Sequence, residues 1–154
     1  QELMITKISK KKLPLTPEEY GKYYKICDAL PFAFTDIEMV FNKEKKAVDW
    51  IFRYGNEALA TLEKLPLDKM IGSSFSSLFS NMDSKWLQGY ERATLYGETL
   101  EIMDYSPEID TNLKIICFPT FPGHCGCILF NADKMRYIKD GNNLVRWIIV
   151  SMKK

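Results

Sequence analysis

The residues best suited to chemistry cluster at His124-Cys125-Gly126-Cys127, with Cys117 a few residues upstream. Three thiolates and one imidazole would make a tetrahedral zinc site. The C-x-C spacing puts Cys125 and Cys127 on one face of a strand. A two-residue turn centred on Pro122-Gly123 would place Cys117 on the opposite face. The expectation is therefore no metal site, with the cysteines buried as small hydrophobes. His124 is the sole histidine and falls in the same turn, where exposure to solvent is expected. The chain shows no histidine placed with a nucleophile, no phosphate-cradling glycine loop and no paired carboxylates in a convincing context. An enzyme in its own right is not expected.

The other candidates are aromatic. In Trp50, Phe52 and Tyr54 large rings recur at every second residue, which puts all three on one strand face. Phe34 belongs to the preceding strand, Trp86 and Tyr90 stand four apart on a helix, and Met103 and Tyr105 alternate on a later strand. Together these eight residues would line a pocket for a flat or apolar ligand. The same rings could equally fill a core and leave no pocket.

The elements that must position them are legible in order. Thr16-Pro17-Glu18-Glu19 has the signature of a helix start with a capping box, and Tyr20, Tyr23, Tyr24 and Cys27 form one apolar stripe behind it. Pro31 ends that helix. Phe32 to Phe41 and Val48 to Tyr54 read as two antiparallel strands joined through N-K-E-K-K at 42–46. Asn56 to Leu65 is helix-compatible, a single turn capped by Asp68 stops at Gly72, and Ser73 to Phe79 forms another short turn. A longer helix opens at Asp83 or Ser84 and closes before Gly97. Three strands follow at Leu100 to Tyr105, Leu113 to Phe121 and Cys125 to Asn131. The last two contain the continuously apolar runs I-I-C-F and C-I-L-F, which implies burial on both sheet faces. The tyrosine stripe, a second copy of the chain, or both would cover the outer face. The sum is an α+β arrangement: a five-stranded antiparallel sheet with helices on one face and an N-terminal flanking helix.

At 154 residues the chain holds one domain with tails, and its 46% hydrophobic and 13% aromatic content suits a packed globule. The net charge of +1 is uneven: residues 1–15 carry +3 and residues 134–154 carry +5, leaving −7 for residues 16–133. An acidic body disfavours nucleic acid as a partner. W-I-I-V at 147–150 falls far short of the ~20 apolar residues of a membrane span. Four cysteines without framework spacing, and no signal peptide, suit a reducing, cytoplasmic setting. Beginning at Gln1, the sequence reads as a piece of a longer protein, with a membrane anchor elsewhere left open.

These signals, in this order, resemble the PAS domain family over residues 30–133. The resemblance rests on Ala29-Leu30-Pro31, on Tyr54-Gly55-Asn56-Glu57-Ala58 after the aromatic strand, on Met70-Ile71-Gly72, and on a degenerate closing signature at Asn131-Ala132-Asp133. It implies a linker at 1–15, a flanking helix at 16–30, a PAS-like body at 31–133 and a connector at 134–154 whose output segment starts at Arg136 to Lys139. It also implies a sensing role: a small molecule or partner binds between sheet and helices, and the change passes to an effector such as a diguanylate cyclase or histidine kinase. No effector motif occurs in this chain. The flavin-binding branch needs a cysteine in its helical motif, and residues 56–97 contain none; haem-binding members use a histidine on the long helix, which is absent from 83–96. Flavin-cysteinyl and histidine-ligated haem chemistry are thus not expected, and the ligand is unidentified. A homodimer is expected, and a constitutive dimerisation module with a filled core is the alternative.

Overall fold

The computed structural model describes residues 12–80 and 83–136. Most of the expected linker, with Lys10 and Lys11, and most of the expected connector, with Lys139 and the W-I-I-V run, lie outside the described residues. Five antiparallel strands form one sheet in the order β2-β1-β5-β4-β3. They are β1 (Ala33–Phe41), β2 (Ala47–Gly55), β3 (Leu100–Ser106), β4 (Thr111–Pro119) and β5 (His124–Asn131). Helix α1 (Pro17–Tyr23) precedes them; α2 (Glu57–Glu63), α3 (Leu67–Met70), α4 (Phe75–Leu78) and α5 (Ser84–Tyr96) all fall between β2 and β3.

Local chemistry sets the ends of the capped helices. The Thr16 side chain accepts from the Glu19 backbone N–H while Glu19 reaches back to the Thr16 N–H, a complete capping box. Asp83 caps α5, and Gly97 ends it at φ +67°, a left-handed conformation that glycine adopts without strain. The flanking helix is shorter than residues 16–30, because it gives way after Tyr23 to a 3-10 turn at Lys25–Cys27. Gly89 lets α5 lie close on the sheet: a Cβ there would stand 2.3 Å from the Ile102 side chain.

The sheet is covered on both faces, as the continuous apolar runs of β4 and β5 require. Against the inner face, α2 to α5 close a core that includes Ile37, Trp50, Phe52, Leu59, Met70, Trp86, Tyr90 and Ile115. Against the outer face, α1 brings Tyr20 and Tyr24 onto Phe34 and Tyr54, with Phe118, Phe121 and Ile128 packed beside them. No second chain is needed to bury this part of the outer face.

Two sequence-based face assignments are corrected by register. Ile37 pairs with Phe52 but Asp36 pairs with Tyr54, so Arg53 is the extra residue of a β-bulge in β2. The bulge breaks the alternation and sends Tyr54 to the outer face while Trp50 and Phe52 stay inside. The β4–β5 loop is the second case. Cys117 pairs directly with Cys127 and Pro119 with Cys125, across a loop longer than the two-residue turn expected. A one-residue change of register flips a strand's faces, so Cys117, Cys125 and Cys127 share the inner face and are all buried there. Burial pushes the Cys117 thiol up to about 12 and that of Cys127 well above its ordinary value, so both stay protonated and unreactive.

His124 is also corrected. It begins β5 on the outer face, only 1% exposed, beneath Tyr20 and Phe121. Its Nδ1 lies 2.8 Å from Asp36 Oδ1, and the Tyr24 hydroxyl donates to Asp36 Oδ2. Burial first and then the Asp36 charge hold the Tyr24 hydroxyl protonated, as a donor must be. A turn histidine is exposed only when nothing lies over the turn, and here α1 does.

Candidate functional site

The short helix α2 is aimed by Asn56. Its side-chain oxygen accepts from the backbone N–H groups of Leu59 and Phe34, at 3.0 and 3.1 Å, and its amide donates to the Cys27 and Phe32 carbonyls, both at 3.0 Å. One buried amide therefore caps α2 and ties it to β1 and to the segment that follows α1. Leu59 and Glu63 stand four apart on α2, so both face the core.

Glu63 ends that face inside a small cavity of about 20 Å³ between sheet and helices. Trp50 from β2, Phe75 from α4, and Trp86 and Tyr90 from α5 supply ring walls, while Ser106 and Glu108 enter from the end of β3 and the turn after it. Trp50 lies 4.2 Å from the Phe75 ring and 5.0 Å, edge to face, from Tyr90. The volume is that of about one water-sized group.

The electrostatics are unusual for a core. Glu63 is 8% exposed, and among the described residues its side chain makes no hydrogen bond or ion pair. Burial first, and the Glu108 charge second, push its carboxyl up to about 7. Glu108 Oε2 accepts from the Ser106 hydroxyl at 2.5 Å, but buried Oε1 has no partner among the described residues. No Lys, Arg or His lines the cavity. Burial also raises the Tyr90 hydroxyl well above its ordinary value, so it stays neutral. The arrangement can take up a proton or a small cation. Among the described residues no group of three or more His, Cys, Asp or Glu could hold a metal ion.

Helices inserted between β2 and β3 over the inner face of a five-stranded antiparallel sheet, with Asn56 at the exit of β2, decide the fold. It is PAS-like. No family model matches the chain, and no curated protein matches it. Among solved structures, a LOV protein of Rhodobacter sphaeroides is 14% identical, with 78% of this chain and 70% of that one covered at a TM-score of 0.49. An RNA-binding light-oxygen-voltage receptor is 15% identical over 79% of this chain and 35% of that one, at a TM-score of 0.43. This PAS-like chain therefore spans about a third of the second structure's length.

The eight residues proposed from sequence divide among three places. Trp50, Phe52, Trp86 and Tyr90 lie in the inner core, and all but Phe52 line the cavity. Phe34 and Tyr54 pack on the opposite face against Tyr24, with the Tyr54 hydroxyl donating to Asp28 at 2.5 Å. Met103 and Tyr105 sit on the edge strand β3, 55% and 43% exposed, because its inward residues are Leu100, Ile102 and Ser106. Sequence reasoning missed Glu63, Phe75, Ser106 and Glu108. Glu63 had a usable signal, its i+4 spacing from Leu59 on the apolar stripe of α2. Glu63 and Glu108 are a carboxylate pair brought together only by the fold, 45 positions apart in sequence.

A larger groove of about 510 Å³ lies elsewhere, where β1 begins and β5 ends, with Phe32, Ala58, Leu62, Phe130 and Met135 along it. None of the eight sequence candidates reaches it, and Lys64 and Lys134 are its titratable residues.

Proposed function

We propose that the chain is a sensing domain in which a small ligand acts at the Glu63–Glu108 cavity and the response leaves through the sheet. One observation carries the reading: Glu63 is a deeply buried carboxylate with no partner among the described residues. A core selected only for packing would not keep it, since an unpaired buried acid is costly and perturbed acids concentrate at functional sites. A ligand with different affinities for two packings of α2 and α5 shifts the balance between them. β5 suits the relay, because Leu129 lines the cavity on one face while His124 bonds Asp36 beneath α1 on the other. On this reading residues 31–133 are the sensing body, 16–30 the flanking helix and 134–154 the connector. The effector, of the diguanylate cyclase or histidine kinase kind, lies outside this chain, which works as a cytoplasmic homodimer.

A second reading has its own support. A cavity of about 20 Å³ is far below the several hundred cubic ångströms of an ordinary small-molecule site. That favours a constitutive dimerisation module with a filled interior. Mass spectrometry of small molecules released by denaturing the purified chain separates the two. A compound recovered at near one per chain is the expected result. Nothing recovered from chain grown in varied media, with the dimer intact, would favour the module.

A further inference from the structure

We propose that the inner cavity is a site for an ammonium head group, either ammonium itself or the end of a primary amine. The inference rests on the sensing reading above and names its ligand class. Glu63 is over nine-tenths buried, lines the cavity and has no hydrogen-bond or ion-pair partner among the described residues. Glu108 Oε1 is likewise buried and unpartnered, while Oε2 is occupied by Ser106. Three open acceptor oxygens, two on Glu63 and one on Glu108, with no Lys, Arg or His lining the cavity, call for a donor that carries positive charge.

The walls select the kind of cation. Besides the two carboxylates the lining offers only the Ser106 and Tyr90 hydroxyls, short of the roughly six to eight oxygens that a calcium ion takes, and the other walls are rings and aliphatic side chains. Ring faces do attract ammonium groups. Trp86 already shows the contact on another side, where Lys85 Nζ stands 4.9 Å from its ring centroid. That lysine is held outside the cavity by Asp83 at 3.0 Å and Asp104 at 3.5 Å, and it donates to the Tyr105 carbonyl. Space agrees with the chemistry: the cavity holds about one water-sized group, and an ammonium group is of that size. A quaternary ammonium is too large for it and has no N–H to donate.

The test is a fluorescence titration, since Trp50 and Trp86 both line the cavity. The whole chain at pH 8 is titrated with ammonium chloride, methylammonium chloride, potassium chloride and tetramethylammonium chloride at constant ionic strength. The expected result is a saturable change with ammonium or methylammonium, at least tenfold weaker with potassium and tetramethylammonium. Response to ammonium alone identifies the free ion, and response to both identifies the head group of an amine. Glu63→Gln and, separately, Glu108→Gln should each weaken the response at least tenfold. Both are isosteric and remove a buried charge, so the fold is retained. Equal responses to all four salts, or a full response in both variants, would overturn the assignment. A neutral metabolite that binds where the amines fail would overturn it too, while leaving the sensing reading intact.

Discussion

Glu63→Gln is expected to stabilise the folded chain by about 3 kcal/mol at pH 8 and to change it little at pH 4. The Glu63 carboxyl is raised from its ordinary 4.5 to about 7 in the folded state. Between those values the folded chain holds a proton that the unfolded chain has released. The Glu63 contribution to stability is therefore most favourable below about 4.5, falls as pH rises through the window, and is lower by about 3 kcal/mol above about 7. Glutamine has the same shape and no proton to lose, so its variant escapes this dependence. Urea denaturation of both forms at pH 4, 6 and 8 checks it. A variant no more stable than the parent at pH 8 would show that the buried acid already has a compensating partner. A saturating cation would itself narrow the gap, because it stabilises only the form that retains the charge.

Trp86→Ala should cost about 3–5 kcal/mol, the usual range for removing a large buried ring. Trp86 is almost fully buried on α5, one turn before Tyr90, and packs within the inner core. Met103→Ala and Tyr105→Ala, on the exposed edge strand, should each stay within about 0.5 kcal/mol. The contrast is a test of face assignment, read as midpoint shifts in urea. A loss below ~1 kcal/mol at Trp86, or losses above 2 kcal/mol at Met103 or Tyr105, would put the rings on the wrong sides.

The order of elements was legible because many boundaries have a local cause. Thr16 and Asp83 cap helices, Gly97 stops one, and alternating or continuous apolar runs mark strands. Asn56 stood out in the sequence as the end of an aromatic strand, though its four hydrogen bonds join segments that sequence alone cannot show to be adjacent. What was not legible was anything governed by register. The bulge at Arg53 moved Tyr54 across the sheet, and the longer β4–β5 loop moved Cys117 to its partners' face. Neither has a local signature, because pairing partners far apart in sequence set both. His124 was misplaced for a related reason: its exposure depends on α1, more than 100 residues earlier. Three of the four ring walls of the cavity, Trp50, Trp86 and Tyr90, stood out in the sequence, and its acids were missed because a lone glutamate on a short helix reads as surface until the fold closes over it.

A sensing role for this chain requires that the cavity around Glu63 respond to a ligand. A thermal-shift panel of amines, amino acids and neutral metabolites, run in parallel on the parent chain and on Glu63→Gln at pH 8, measures this directly. At ligand concentrations near a hundred times Kd, the parent is expected to rise by about 5 °C or more for at least one cationic compound, and the variant to lose that rise. No rise with any compound, or the same rise in both proteins, would contradict it.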